Sequence, residues 1–323
     1  MNAMKKVVKG LFCIFAALVA GVAGAATIAV GPGDDLKAKV EAAASEDVVE
    51  VAEGTYTIGG EVTVPTGVTV TGAGIGKSFI TSSNNGVRYM TVSAGATVEG
   101  FTFSGRQIAS ASLYGKAVRV LGTLRNCRVT GFSNGAHFMR GAVYVNNANA
   151  LVEGCEIDNN LSGQDYTGIT ESGGVYLSSG LVRNCLIHRN QAHKGGGVYM
   201  TGGTLEACIV YRNKVRDHGT MSSADTSKLT GAGVAATGGT IKDCIITANV
   251  ALPHCGIGCL WVDGSSTTVS GTIVRGNRSY SSSSAGFPDF VCLNSAEAAK
   301  FSGCSLPIDY GADCNTKPVL FQN

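Results

Sequence analysis

The chain has 323 residues, among them 45 glycines, six prolines and one tryptophan, and its formal charge is only +2. That balance excludes the basic stripe a nucleic-acid binder needs. Glycine excess in a chain of this length makes internal repeats the first thing to test, before domains are counted.

At the N-terminus, Lys5, Lys6 and Lys9 precede an apolar run from Leu11 to Val22, and Ala23-Gly24-Ala25 offers a small-x-small cleavage site. The run is too short to span a bilayer comfortably, and Cys13 lies inside it, so no lipobox cysteine follows. Residues 1–25 are therefore read as a signal peptide. The product is expected to be secreted, extracellular, periplasmic or on the surface of a bacterium, with no transmembrane segment after cleavage. Loss of the three leader lysines takes the charge to −1.

Next comes Gly33-Asp-Asp35-Leu-Lys-Ala-Lys-Val40, which reads as a short helix capped by Asp34. Leu36, Val40 and Ala43 share one face, suited to closing the open end of a solenoid core.

From there the chain repeats itself. Leu151-Val-Glu-Gly-Cys155-Glu-Ile157, Leu181-Val-Arg-Asn-Cys185-Leu-Ile187 and Thr204-Leu-Glu-Ala-Cys208-Ile-Val210 align, as do segments centred on Cys127, Cys244 and Thr272. Weaker copies centre on Ala73, Phe101 and Cys304, and the intervals run from 23 to 36 residues. One turn of a three-sided β-coil needs such a length. Nine turns about 4.8 Å apart predict a repeated part roughly 40 Å long.

Each unit opens with a Gly-Val-Tyr-like strand (Gly174-Val-Tyr176, Gly197-Val-Tyr199) and a glycine turn. The centred strand follows, and an asparagine stands five residues past the centre: Asn160, Asn190, Asn213, Asn249 and Asn277. Stacked at one corner, each amide can donate to the next and accept from the last, a structural ladder.

The five recurring cysteines share a rung position and should point inward. Rungs lie about 4.8 Å apart, whereas disulfides prefer Cβ atoms about 3.8 Å apart, so buried free thiols are expected. Cys292, Cys304 and Cys314 fall in an irregular tail, where a disulfide is plausible. His254-Cys255 with Cys259 lacks a fourth ligand, and no metal site is assigned.

These rhythms resemble the pectin-lyase-like right-handed parallel β-helix superfamily. The match includes the opening Gly33-Asp-Asp35 with Val49-Glu-Val-Ala-Glu-Gly54-Thr-Tyr56. The Gly196-Gly197 … Val210-Tyr-Arg-Asn213 pattern is also similar to the repeats of chlamydial polymorphic outer-membrane proteins, which are surface adhesins. The resemblance implies an all-β solenoid with a short N-terminal capping helix. Residues 26–290 would form the β-helix with its cap, and 291–323 an irregular C-terminal tail.

In such folds ligands lie along the first sheet and the loops before it. Strand alternation would set Arg119, Tyr144, Tyr176, Tyr199, Ala235 and Leu260 outward in one column, where tyrosine rings can meet sugars or simply furnish a strand face. Neighbouring segments carry His137, Arg140, Asp165, Glu171, His193, Lys194, Asp217 and His218. Arg119, the three tyrosines, His137 and His193 are the ligand-contact candidates. Arg140, Asp165, Glu171, Lys194, Asp217 and His218 are the candidates for acid–base work.

Two classes of function stay open. One is a monomeric, non-catalytic protein binding a polysaccharide or cell-surface glycan without a cofactor. The other is a lyase or hydrolase of acidic polysaccharide, with Ca²⁺ if a lyase. The Arg-x-Pro-x-x-Arg run of the best-known pectate lyases is missing. So are the Asn-Thr-Asp, Asp-Asp, Gly-His-Gly and Arg-Ile-Lys signatures of polygalacturonases, which favours the first class.

Overall fold

A computed structural model describes residues 24–84, 86–108, 113–114, 116–134, 139–163, 169–215, 230–251, 259–262 and 266–279, with short segments at 287–288, 291–293, 301–305, 311–313 and 317–319. All but two residues of the expected leader lie outside these. The described chain is a right-handed parallel β-helix, its rungs stacked through parallel pairings from Thr27↔Val48 onward. No described helix is long and apolar enough to cross a membrane.

One rung shows the plan. Val198–Met200 forms the first strand, Thr204–Glu206 the second, Ile209–Tyr211 the third, and Lys214–Val215 a short fourth. First and second strands belong to one 20-stranded sheet, because Val143–Glu153 and Val175–Arg183 run through both positions. The third strands build a nine-stranded sheet and the fourth an eight-stranded one. Parallel stacking continues past residue 290. Val291–Leu293 pairs with Leu260–Val262, Phe301–Ser302 with Val269–Ser270, and Ser305 bridges Ile273.

The corners explain the sequence rhythm. The residue before each centre takes the left-handed region: Asn126 (φ 50°), Asn184 (53°), Ala207 (50°) and Asp243 (54°). So does the residue before each ladder asparagine, as at Asn159, Arg189, Arg212 and Ala248, all with φ of 53° or 54°. Left-handed backbone costs an L-residue about 1–2 kcal/mol. These sharp bends are therefore held by what lies inside them, the cysteine stack at one and the asparagines at the other.

Every ladder asparagine is buried. Asn190 Nδ2 donates to Asn213 Oδ1 at 3.1 Å and to Ile157 O at 2.8 Å, while Asn213 Oδ1 also accepts the Asn190 N–H at 2.9 Å. The pattern recurs at Asn160, Asn213 and Asn249. At the N-terminal end Phe132 occupies the ladder position, and its N–H closes the column on Asn160 Oδ1. The glycine pairs have the same origin. A Cβ on Gly197 would sit 2.8 Å from Asn213 Nδ2, and one on Gly174 3.0 Å from Asn190 Nδ2. The amide fills the space a side chain would need.

Cys127, Cys155, Cys185, Cys208 and Cys244 are buried free thiols, as their spacing predicts. Their sulfurs lie near carbonyls of the preceding rung, for example Cys208 Sγ 3.6 Å from Val182 O. Thr272 continues the stack with Oγ1 accepting the Cys244 N–H. Burial lifts the Cys127 thiol to about 12.

Outside the second strands runs a column of alternating sign. Glu99, Arg125, Glu153, Arg183, Glu206 and Lys242 stand in register rung after rung. Ion pairs join Arg125–Glu99, Arg183–Glu153 and Lys242–Glu206.

Three expectations need correction. The helix Leu36–Glu41 is capped by Asp35, whose carboxylate accepts the Ala38 N–H. Asp34 instead accepts the Gly31 N–H and pairs with Lys39. Leu36, Val40 and Ala43 are buried as expected. Ala73, taken as the first repeat centre, is exposed, and Ile75 is 44% exposed. Residues 74–77 form a protruding turn, and the buried positions are Ser78 and Ile80, in register with Phe101 and Phe103. Finally, Leu260 points into the core. Trp261, in register with Ala235, takes the outward place.

Candidate functional site

The outward column on the first strands is Arg119–Tyr144–Tyr176–Tyr199–Ala235–Trp261, one residue per rung. It forms because each first-strand position presents three residues in an apolar–outward–apolar pattern, with Val143, Val145, Val175, Leu177, Val198 and Met200 in the core. The rings do not lie flat. Tyr144 meets Tyr176 edge-on at 5.4 Å and 74°, and Tyr176 meets Tyr199 at 5.4 Å and 43°. Tyr176 and Tyr199 are only 8% and 6% exposed, whereas Tyr144 and Trp261 are half-buried. The middle of the row is thus a packed ridge whose two ends are accessible.

Charged groups flank the ridge. Arg140 Nε lies 3.1 Å from Glu171 Oε2, and its guanidinium carbon is 5.8 Å from the Tyr176 ring centroid. The Glu171 backbone bridges to Lys194 and that of Lys194 to Thr230, a narrow ladder beside the first sheet. Burial, with Glu171 adding, raises the Tyr176 phenol and lifts Tyr199 to about 12. Both therefore remain neutral hydroxyls at physiological pH.

Of the candidates, the fold brings together Tyr144, Tyr176, Tyr199, Arg140, Glu171 and Lys194. Arg119 sits at the end of the row, its Nε donating to Asn146 Oδ1 at 3.2 Å. His193 is turned inward at 2% exposed. Its Nδ1 accepts the Thr170 N–H at 3.1 Å and lies 3.0 Å from Thr170 Oγ1. An Nδ1 that accepts from an amide leaves the ring proton on Nε2. His137, Asp165, Asp217, His218, His254 and Cys255 lie outside the described residues, as do the side chain of Cys292 and all of Cys314.

A second polar cluster, on the nine-stranded sheet of the third strands, escapes the sequence reading. Glu156, Asp158 and His188 place ligand-type atoms within 4.8 Å of one another. His188 Nε2 is 3.0 Å from Glu156 Oε1, and its ring stacks on Tyr211 at 4.7 Å and 20°. Arg128 already holds both Asp158 oxygens, at 2.9 and 2.8 Å. Burial works to raise the Asp158 carboxyl, but Arg128 outweighs it and the net shift is downward. A cation entering here would have to displace a guanidinium fork, so the chemistry of the cluster is that of a charge network. Its signal was legible, since Asp158 and His188 stand one residue after the inward Ile157 and Ile187 in successive repeats.

The right-handed β-helix family model matches residues 66–294. No curated protein matches the sequence. Among solved structures, the chain is similar to ORF18 of Geobacillus virus E2 at 14% identity and TM-score 0.45. That match covers 86% of this chain and 59% of the viral one, so the chain spans less than two thirds of its length. It is also similar to the A-modules of two mannuronan C-5 epimerases of Azotobacter vinelandii. For AlgE4 the identity is 13% and the TM-score 0.34, covering 84% of this chain and 91% of that one. For AlgE6 the values are 15% and 0.28, with 83% and 93% covered. With the stacked rungs, the asparagine column and a match over most of its length, the chain belongs to the right-handed β-helix family.

Proposed function

We propose that the chain is a secreted or cell-surface binding protein, without catalysis of its own, that holds a glycan along the first sheet. One observation carries this reading. Four aromatic side chains (Tyr144, Tyr176, Tyr199 and Trp261) occupy one outward column, with the ends of the row accessible and charged groups beside it. Aromatic faces and edges suit the apolar faces of sugars, and a column parallel to the solenoid axis suits an elongated polymer. Two of the acid–base candidates, Glu171 and Arg140, are already engaged with each other, and the ligand-contact candidate His193 is engaged with Thr170. A general base must be within reach of the substrate proton, and these groups are committed to the scaffold.

The test is binding to a panel of neutral and acidic polysaccharides. Tyr144→Ala and Trp261→Ala should each weaken binding about fivefold or more, from roughly 1 kcal/mol of lost ring contact. Tyr176 and Tyr199 support the ridge, so their replacement should lower stability as well as affinity. Unchanged binding in both end variants would sink the reading. Turnover of an acidic polysaccharide, seen as unsaturated or reducing ends and abolished by Lys194→Ala or Arg140→Ala, would replace it with the enzymatic one.

A further inference from the structure

The bend between the third and fourth strands gathers positive charge, and the acid at its first rung, Asp158, is already held by Arg128. Arg189 and Arg212 stand at the left-handed position in successive rungs, and Lys214 follows on the fourth strand in register with Gln191 and Val250. The next rung offers Ala248 and Val250 instead. One rung further, Arg275 and Arg278 restore the positive charge, in register with Thr247 and Val250. All five cations are exposed, and none forms an ion pair with a described residue. Around the neutral gap lies a groove of about 420 Å³ lined by Arg189, Arg212 and Lys214, the amides Asn159 and Gln191, and Ala248 and Val250.

The contrast with the second strands is what gives the strip meaning. There, one position per rung alternates acid and base, and three ion pairs join neighbours. Like charges directly opposite one another across strands are destabilising. A chain that is nearly neutral overall, and that pairs its charges outside the second strands, nonetheless places five cations on this corner. Arginine forks match planar oxyanions through paired hydrogen bonds.

We propose that this corner is a second binding site, independent of the first-sheet ridge, for the carboxylate or sulfate groups of an acidic polysaccharide. A linear polymer can meet Arg189 and Arg212 one rung apart, about 4.8 Å, lay a ring over Ala248 and Val250, and meet Arg275 and Arg278 beyond. The groove is concave, which a flat bilayer would not fill. Nor does any aromatic residue line it to stack a nucleic-acid base, since the Tyr211 ring is taken by His188 and Arg212.

The experiment is calorimetric titration of the whole protein with polygalacturonate oligosaccharide, with dextran sulfate and with unmodified dextran. The two charged probes separate carboxylate from sulfate recognition. We expect at least one of them to bind, more weakly as salt rises, and dextran not to bind at this site. The double variant Arg212→Gln/Lys214→Gln should lose about tenfold or more in affinity for the charged probe, while Arg125→Gln, which removes an exposed cation outside the second strands, leaves that affinity unchanged. Both replaced side chains are exposed, and an unaltered melting temperature will show that the fold is intact. Full affinity in the double variant overturns the proposal. Loss in Arg125→Gln alone overturns it too, by making the attraction one of overall charge and not of this corner. So does tighter binding of anionic vesicles or single-stranded DNA than of either charged polysaccharide.

Discussion

Replacing Asn213 with alanine removes four hydrogen bonds at the middle of the ladder. Asn213 Nδ2 donates to Asn249 Oδ1 at 3.0 Å and to Ile187 O at 2.9 Å, and its Oδ1 accepts the N–H and the Nδ2 of Asn190. The losses are unequal. Asn190 Nδ2 keeps Ile157 O, and Asn249 Oδ1 keeps the Asn213 N–H. The Asn190 N–H is left with nothing, in a place where no water reaches. One stranded buried donor costs about 1–3 kcal/mol, so with the partial losses we expect about 2–3 kcal/mol. Asn160→Ala should cost about 1 kcal/mol less, because below it only the Phe132 N–H depends on its oxygen. Asn213→Asp keeps the shape but turns an acceptor toward two acceptors. Burial should raise its folded pKa above the unfolded one, so its stability falls as pH rises between the two and recovers in acid. Urea unfolding followed by far-ultraviolet circular dichroism measures all three. If Asn213→Ala lies within about 0.5 kcal/mol of wild type, an ordinary surface effect, the corner is solvated and the ladder argument fails.

Three further outcomes follow from the same geometry. Ala207→Gly should stabilise the protein by roughly 0.5–1 kcal/mol, because φ there is 50° and glycine bears no left-handed penalty; a lower urea midpoint would contradict this. The five stacked cysteines should resist a thiol reagent at pH 8 in the native state and react once unfolded, since burial raises the Cys127 thiol, and hydrogen bonding with the neighbouring cysteine of the stack, with burial adding, raises those of Cys185, Cys208 and Cys244; fast native labelling would refute their burial. Stability should also decline as pH falls below the ordinary aspartate value of about 3.9 and through the lower folded pKa of Asp158. Arg128→Gln should reduce stability at neutral pH and flatten that acid slope, and an unchanged slope would show that Asp158 owes nothing to Arg128.

How much of this was legible depended on whether a residue type was demanded or merely tolerated. The ladder asparagines and stacked cysteines fill positions that few other side chains satisfy, so they recur and can be read. The capping helix was legible as a face, but not as a cap, because Asp34 and Asp35 are chemically alike and only local backbone geometry chooses between them. Trp261 was missed for a sharper reason. Gly258 suggests the start of a Gly-Val-Tyr strand, yet Cys259 takes the place of Gly233: the Val234 N–H bonds to Cys259 O as the Val198 N–H bonds to Gly233 O, and Leu260 pairs with Val234. A one-residue slip reverses the face of every side chain in a strand. Arg128, Asp158 and His188 went unread because their meaning lies across rungs, about 30 residues apart, in pairs that differ from one rung to the next.

The asparagine column also has a direction. Each amide receives at its oxygen from the rung before and gives through its nitrogen to the rung after, so all the side-chain dipoles point one way along the rod. A whole rung can be removed or added without reversing any of them, because the new neighbours present the same donor and the same acceptor. Half a rung cannot, since it brings a thiol corner over an amide corner. The full turn is therefore the smallest change of length this molecule can accept, and the column runs unbroken although successive asparagines stand from 23 to 36 residues apart.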